Sequence, residues 1–567
     1  MKPSHVNCLS KVNGLSKVNG LSKVNGLSKV NGLSKVRRRQ QVAAVGLAAL
    51  VAGLGSAGLS SGTASAAPKA FPKSHTLTLS FLQDPGQPPD PDVYYAGEGL
   101  LLTRNLYQGL LQYQPGTATK KIIPSLATSW KESADGLTYT FDLRKGVKFH
   151  DGTPFTSAAI EPSFSRRAAV NGGPAYTVSD VASVKPEGPY KVVITLKSKN
   201  SAFLDLLAAP YGPVMESPTA LKAHAGKDHD QTYLQTHDIG TGPYTLTEAK
   251  VGVAYQLKAF PGYWGPKPYY TTVNLPVVDN LSTQEIEFNS GKLAGILHDM
   301  TTTAATQYQE SKKVRFYKLP VLENDTVFIN ENKGMFTKQA NRTAFLKAIN
   351  IPSIVASVFP GGQAKVPKQI MAANLLPTKY AKQTITFDPS KLQKIASSLP
   401  SSEKNITISY DTGAPDDQLI AEDIAAQVKS YGLNAKVVGL QTSTIYANVG
   451  STKYARGATS PNVLVDYLWP DADNPYTWTH ILYEPTGGLQ YLSCNAPATV
   501  APDARALASG SLADYDQEAA AVEQSGCWLN VADRNDLMVF QPWLKGVTGA
   551  HVVAAPESLL LNELYPA

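Results

Sequence analysis

The sequence predicts a mixed α/β protein, and three stretches carry that prediction. Ile406-Thr-Ile-Ser-Tyr410 is β-branched and alternating, the pattern of a strand. Asp411 to Pro415 is a turn, and Asp416 to Tyr431 then sets Ile420, Ile424 and Val428 on one helix face, with Gly432 as its stop. Ala435 to Val438 is a second strand, so the segment is a βαβ unit and implies a parallel layer. Thr138 to Leu143 and Tyr190 to Leu196 alternate cleanly, as half-exposed strands of a mixed sheet do. A further helix is expected from about Arg342 to Val358, with Phe345, Leu346 and Ile349 on its apolar face and Pro352 interrupting or kinking it.

The chain has 567 residues, 43% apolar and 17% charged, which excludes a disordered or collagen-like chain and leaves room for two or three domains. Its net charge of +7 is a property of the leader. Residues 1–66 hold six Lys and three Arg and no acid, leaving 43 basic against 45 acidic residues in the body. The body therefore has no global attraction to nucleic acid.

Residues 9–36 repeat LSKVNG, with too few apolar positions per unit to bury a β-helix core, and read as an unstructured n-region. Arg37-Arg38-Arg39, an uncharged apolar run from Val42 to about Leu59, and Ala64-Ser65-Ala66 together read as an export signal cleaved before Ala67. An uncleaved anchor is the alternative, although the run is short for a spanning helix. The arginines suit the twin-arginine route, but Gln40-Gln41 stand where an apolar residue is usual, so both export routes stay open. No Cys ends the apolar run, so no lipobox is present. Export makes Cys494 and Cys527, the two cysteines left in the mature chain, a disulfide candidate, two separate buried thiols being the alternative.

Asn105-Leu-Tyr-Gln-Gly-Leu-Leu-Gln-Tyr113, Ile123-Pro-Ser-Leu-Ala-Thr-Ser-Trp130 and the run Ala134 to Pro154 follow one another. This succession resembles the family 5 extracellular solute-binding proteins of ABC transporters, of the oligopeptide- and dipeptide-binding type. Gly240-Thr-Gly-Pro-Tyr244, Tyr263-Trp264-Gly265, Ser290-Gly291, Phe328-Ile-Asn330 and the unit at 406–438 continue it in order, over about 75–555. The resemblance implies a bilobed, periplasmic-binding-protein-like clamshell of type II, with an extra subdomain, mixed sheets and hinge strands between the lobes. The expected division is 1–66 export signal, 67–110 first part of lobe 1, 111–235 extra subdomain, 236–315 second part of lobe 1 with the hinge, 316–530 lobe 2 and 531–567 returning to lobe 1. It further implies capture of a solute, most simply a peptide, and its delivery to permease subunits. The expected protein is a monomer in the periplasm or at the cell surface, in contact with the membrane through the permease alone, with no cofactor and no nucleic acid partner. An exported hydrolase on a similar scaffold and an extracellular solute sensor are the alternatives.

The expected ligand wall is Leu464 to Trp478. In peptide-binding relatives this place resembles Gly-Trp, two residues, an Asp that pairs with the ligand ammonium, and an acidic run. Aligning that run on Asp471-Ala-Asp-Asn474 puts Leu468 at the anchoring position, with Asp466 two residues earlier on the same face of an extended segment. The candidate ligand-binding residues are Val465, Asp466, Tyr467, Leu468 and Trp469, with Tyr94 and Tyr95 on the opposite wall. Asp471, Asp473 and Asn474 are expected to form a turn and helix cap. Lys145, Lys148 and His150, between the Asp135-Gly136 and Asp151-Gly152 turns, are expected in a solvated hairpin. His224, Asp228, His229, Asp230 and His237 fit no zinc spacing. No metal site and no catalytic constellation is expected: the mature chain has neither G-x-S-x-G nor H-E-x-x-H.

Overall fold

The computed structural model describes residues 74–567, His298 excepted, so the repeats and the expected export signal lie outside the described residues. Three sheets organise the rest. Thr76–Thr78, Thr272–Pro276, Ala254–Ala259 and Tyr244–Lys250 form the first, the leading pair parallel and the others antiparallel. Ala127–Glu132, Thr138–Leu143, Lys191–Leu196 and Val181–Pro186 form a fully antiparallel second sheet. Its strands alternate because one face is buried, with Tyr139, Phe141, Val192 and Ile194 inside.

The third sheet carries the chemistry. Its principal strands are β1 (Arg315–Ile329), β2 (Asn405–Asp411), β3 (Asn434–Leu440), β4 (Val463–Leu468) and β5 (Trp528–Phe540). Their spatial order is β5-β1-β4-β2-β3, with Gly295–Ile296 outside β5. Strands β2, β3 and β4 run parallel, and helix α1 (Pro415–Ser430) is the crossover from β2 to β3. The βαβ unit read from the sequence is present. Pro415 opens the helix one residue before the expected start, where its missing N–H costs nothing.

β1 and β5 pair antiparallel from Arg315 opposite Phe540 to Phe328 opposite Trp528, with shifts of register between Pro320 and Asn324 and between Asp325 and Thr326. Their two ends lie in different cores. Leu319, Met538 and Phe540 pack with Leu77, Tyr255 and Leu257 of the first sheet. Val327, Ile329, Leu529 and Val531 pack with Ile420, Ile424 and Val428 of α1. Two strands shared between two cores, bent by bulges, have the geometry of a hinge.

The expected 342–358 helix is two helices, Gln339–Lys347 and Ile351–Val358. The break precedes Pro352: the Asn350 side chain caps the second helix by accepting from the Ser353 N–H at 3.3 Å, and Pro352 falls in its first turn. Gly240 and Gly242 lie against the end of the Leu100–Leu106 helix, where a Cβ would come within 2.1 Å of the Leu106 oxygen and 2.4 Å of the Asn105 oxygen. That turn is glycine-rich for close packing.

Cys494 and Cys527 form a disulfide, their Cα atoms 5.7 Å apart across a separation of 33 residues. Closing a loop of that size stabilises by about 3–4 kcal/mol in the chain-entropy model. Unfolding in urea with and without a strong reductant is expected to differ by that amount, and identical curves would refute it. Among the described residues no helix is long and apolar enough to cross a membrane.

Candidate functional site

The parallel strands β2, β3 and β4 end at Asp411, Leu440 and Leu468, on one edge of the sheet. In an open α/β sheet the crevice outside these carboxyl ends is where ligands bind. β4 lies between β1 and β2, with Leu468 opposite Asn324, Tyr467 opposite Asp325 and Asp466 opposite Thr326. Every residue of β4 is buried, because neighbours cover both its faces. Val465 sits with Val463 in the core beneath α1, fully buried, and Leu468 packs with Leu464 on the other face. Asp466 shares that second face. It is 2% exposed, and its Oδ2 accepts no hydrogen bond.

Around this edge the acids gather. Asp325, Asp411, Asp417 and Asp466 are all 2% exposed or less. Burial drives the Asp466 carboxyl well above its ordinary range, and the neighbouring Asp411 pushes it further. Burial does the same to Asp417, with Asp325 and then Asp466 adding to it. Asp325 is raised by burial, tempered by Arg534. Arg534 on β5 is the cation of the group: its Nη1 lies 3.0 Å from Glu323 and 3.7 Å from Asp325, and its Nη2 3.1 Å from Asp416 and 3.8 Å from Asp299. Its guanidinium carbon stands 5.6 Å from the centre of the Tyr467 ring. Burial alone would lower the arginine pKa, but Asp325, Glu323, Asp416 and Asp299 hold it well above its ordinary value. A cavity of about 30 Å³ beside Arg534 is lined by Asp299, Glu323, Asp416, Asp536 and Glu557.

The expected opposite wall is tied to the segment after β4. The Tyr95 hydroxyl donates to Asp471 Oδ2 at 2.5 Å, and the Tyr176 hydroxyl donates to the same oxygen at 2.6 Å. The Asp473 N–H donates to the Tyr113 hydroxyl at 3.0 Å, and Asn474 Nδ2 donates to Asp205 at 2.8 Å. Gly97 meets the Trp469 ring so closely that a Cβ would fall 2.6 Å from it. Tyr94 is turned the other way: its hydroxyl accepts from the Gly99 N–H, and the side chain is 2% exposed. The structure thus brings Tyr95, Tyr467 and Trp469 to one region, and packs Tyr94 into its own loop. Trp478 is core, donating its indole N–H to Tyr483 at 2.6 Å.

Two expectations need correction. Asp471 lies in the expected bend ahead of the Tyr476–Leu482 helix, but its side chain does not cap: it is the common acceptor of two tyrosines, because the chain folds residues 95 and 176 over it. Asn474 does cap, accepting from the Tyr476 N–H at 3.0 Å. The His150 side chain is not solvated: it is 4% exposed, its Nδ1 meets Asp238, and its Nε2 lies 3.0 Å from the Gly242 carbonyl. Lys145 and Lys148 beside it are exposed as expected. Sequence reasoning missed Arg534, Asp325, Asp417 and Asp411. Asp411 was in view as a turn residue, and its place at the end of a parallel strand was the available signal.

A second cavity, of about 260 Å³, lies among Tyr94, Arg104, Gln108, Tyr113, Tyr211 and Trp264, and no residue of β4 lines it.

A sequence model described as bacterial extracellular solute-binding proteins, family 5, middle, matches residues 121–490. The chain is 24% identical over 426 residues to the probable D,D-dipeptide-binding periplasmic protein DdpA of Escherichia coli K12, covering 73% of this chain and 80% of that protein. Among solved structures it resembles the dipeptide-binding protein of Pseudoalteromonas sp. SM9913 in complex with Met-Leu, with a TM-score of 0.76 at 19% identity, over 87% of this chain and all of the other. It also resembles NikA of Brucella suis in complex with Fe(III)-EDTA, with a TM-score of 0.74 at 22% identity, over 87% of this chain and 100% of that one. At these identities the solved structures establish a shared clamshell fold.

Proposed function

Because the chain belongs to the bacterial extracellular solute-binding proteins of family 5, we propose that it is an exported receptor that closes on a cationic, peptide-like solute and hands it to an ABC importer. Binding, with no chemical turnover, is its task, at the cell surface or in the periplasm. Closure about the paired strands β1 and β5 is consistent with lobe boundaries near 316 and 531, and the ligand favours the closed state.

One observation carries the charge of the solute: four buried aspartates, Asp325, Asp411, Asp417 and Asp466, gather at this edge of the sheet, and of these Arg534 ion-pairs with Asp325. Isolated buried carboxylates cost several kcal/mol each, and an incoming ammonium or guanidinium offsets that cost. Asp466 is the proposed anchor. It takes the role that Leu468 cannot, from a position two residues deeper on the same face of β4. Tyr95, Tyr467 and Trp469 supply aromatic surface for the remainder of the ligand, whereas Val465, Leu468 and Tyr94 are buried packing residues.

Calorimetry and thermal shift on the purified protein test this with short free peptides, peptides carrying Lys or Arg, their N-acetylated forms, oligosaccharides and nickel chelates. A cationic peptide held at 100 times its dissociation constant is expected to add about 2.7 kcal/mol to stability. Asp466→Asn is expected to weaken that peptide about 10–100-fold, equivalent to roughly 1.4–2.8 kcal/mol. Equal binding of acetylated neutral peptides would overturn the charge assignment and leave the receptor standing. Cleavage of the peptides would overturn the receptor in favour of a hydrolase.

A further inference from the structure

Among the described residues three groups of side chains bring metal-ligating atoms within 4.8 Å of one another. Asp90, Asp92 and Glu216 already surround the Arg166 guanidinium, at 2.6–2.9 Å. Glu331, Cys494 and Cys527 offer no thiolate, because the two sulfurs are joined. The third group is His480, Glu484 and Asp503, and no guanidinium or ammonium pairs with it.

Three helices build this group: α2 (Tyr476–Leu482), α3 (Val500–Ser509) and α4 (Asp514–Ser525). His480 and Glu484 are one turn apart at the end of α2, and Asp503 lies in the first turn of α3. His480 Nδ1 stands 3.1 Å from Glu484 Oε2 and 3.9 Å from Asp503 Oδ2. The imidazole is stacked on Tyr476, ring centres 5.0 Å apart and planes 18° apart, which fixes its direction. The Thr479 hydroxyl donates to Asp503 Oδ1 at 2.7 Å, which leaves Oδ2 turned to the histidine. The acids are buried, with side chains 7% and 4% exposed, while His480 is 36% exposed and leaves a way in from solvent.

A fourth group supplies independent evidence. Glu518 on α4 is 0% exposed, and neither of its carboxylate oxygens accepts a hydrogen bond. The Thr479 hydroxyl beside it is engaged with Asp503. The charges acting most strongly on Glu518 are Asp503 and then Glu484, so it backs onto the same cluster. Three acidic side chains and one imidazole are therefore packed where three helices meet, and among the described residues no guanidinium or ammonium forms an ion pair with Glu484 or Asp503.

We propose that His480, Glu484 and Asp503 bind a first-row divalent cation, with the Glu518 carboxylate behind them, and that the ion ties α2, α3 and α4 together. One imidazole nitrogen with carboxylate oxygens suits Zn²⁺ or Mn²⁺ better than Ca²⁺ or a thiolate-seeking ion. The Thr479–Asp503 hydrogen bond is the kind of outer contact that orients a metal ligand. Because α2 begins two residues after Asn474, the ion would also steady the segment in which Asp471 holds Tyr95 and Tyr176.

Zinc is the probe. The purified protein is stripped with a chelator, then titrated with Zn²⁺ by calorimetry, and with Co²⁺ by visible absorption, which reports nitrogen and oxygen ligation. The expected result is about one zinc per chain, a higher melting midpoint, and at least about a tenfold loss of affinity in His480→Ala and in Glu518→Gln. His480 is partly exposed, so its alanine variant is expected to fold, and near-ultraviolet circular dichroism checks that. His237→Ala, in the loop where His237 stacks on Tyr233, is expected to leave binding unchanged. Substoichiometric zinc, or zinc binding that His480→Ala leaves intact, would overturn the site. Solute binding is read separately, so failure here leaves the receptor function untouched.

Discussion

Arg166→Ala is expected to lower the unfolding free energy at neutral pH by about 3–5 kcal/mol, the cost of stranding buried charge. The guanidinium donates from Nη1 to Asp90, Asp92 and Glu216, each at 2.9 Å, and from Nη2 to Asp90 at 2.6 Å. Its Nε donates to the His229 carbonyl at 2.9 Å. Asp90, Asp92 and Glu216 are at most 2% exposed, and Arg167 pairs with Asp92 alone of the three. Alanine therefore leaves Asp90 and Glu216 buried with no cation in contact. Lysine should recover only part of the loss, since an ammonium cannot form the two-pronged contact to Asp90. Burial first, and Asp92 second, hold the Glu216 pKa well above its ordinary value, and Arg166 opposes that rise. Urea unfolding of the alanine and lysine variants at pH 7.5 measures both effects. A loss under about 1 kcal/mol, the size of an exposed pair, would show that the network is dispensable. The consequence reaches the ligand wall, because Asp90 and Asp92 anchor the chain just ahead of Tyr95, and Arg167 donates at 2.6 Å to the carbonyl of Tyr211, whose ring packs edge-on to Tyr95.

The second large effect is a stability that falls as pH rises from about 4 to about 7. Burial pushes Asp471 up to about 6, even though the Tyr176 and Tyr95 hydroxyls favour its charged form. Burial pushes Asp473 up to about 7 against the pull of Lys120, and Asp533 up to about 7 against its hydrogen bond from Asn324. For each, the folded state keeps a proton that the unfolded chain releases near its ordinary value of 3.8. Their contribution is therefore full below that value and is lost as pH rises through the folded pKa. His150 has the same sign. Burial would lower it, but Asp238 raises it above 6.5, so its contribution is present below that value and lost above the folded pKa. At about 1.4 kcal/mol per unit, the rise at Asp471 alone corresponds to roughly 3 kcal/mol. The exposed turn acids Asp135 and Asp228, held below 3.8 by hydroxyl and backbone donors, act oppositely and only in stronger acid. Melting midpoints should decline from about pH 4.5 to about pH 7, where Asp473 and Asp533 have lost their protons in the folded state too, and a flat or rising profile over that range would contradict these assignments.

The local code of the chain was legible wherever one short segment settles its own structure. The βαβ unit at 405–440, the alternating strands at 138–143 and 191–196 and the break near Pro352 follow from periodicity and from backbone chemistry that neighbours a few residues away complete. The motifs from Asn105 to Pro154 carried the family and the clamshell, and the segment around Asp466, read as extended, is the strand β4.

What the tertiary structure alone decided is which side chains meet. Arg534 stands 209 positions from Asp325 along the chain and Asp471 stands 376 from Tyr95, yet both pairs are in contact. Nothing in the spacing of these residues records that proximity, because the β1–β5 pairing and the folding of residues 95 and 176 over 471 bring them together. His150 is the plainest case: its flanking Asp-Gly turns correctly predicted a hairpin, but only the packing of residues 238–242 against it decided that the imidazole would be buried and paired. Local sequence specifies backbone conformation through sterics and periodicity, whereas charge pairing and burial are set by long-range packing, which a single sequence does not write down.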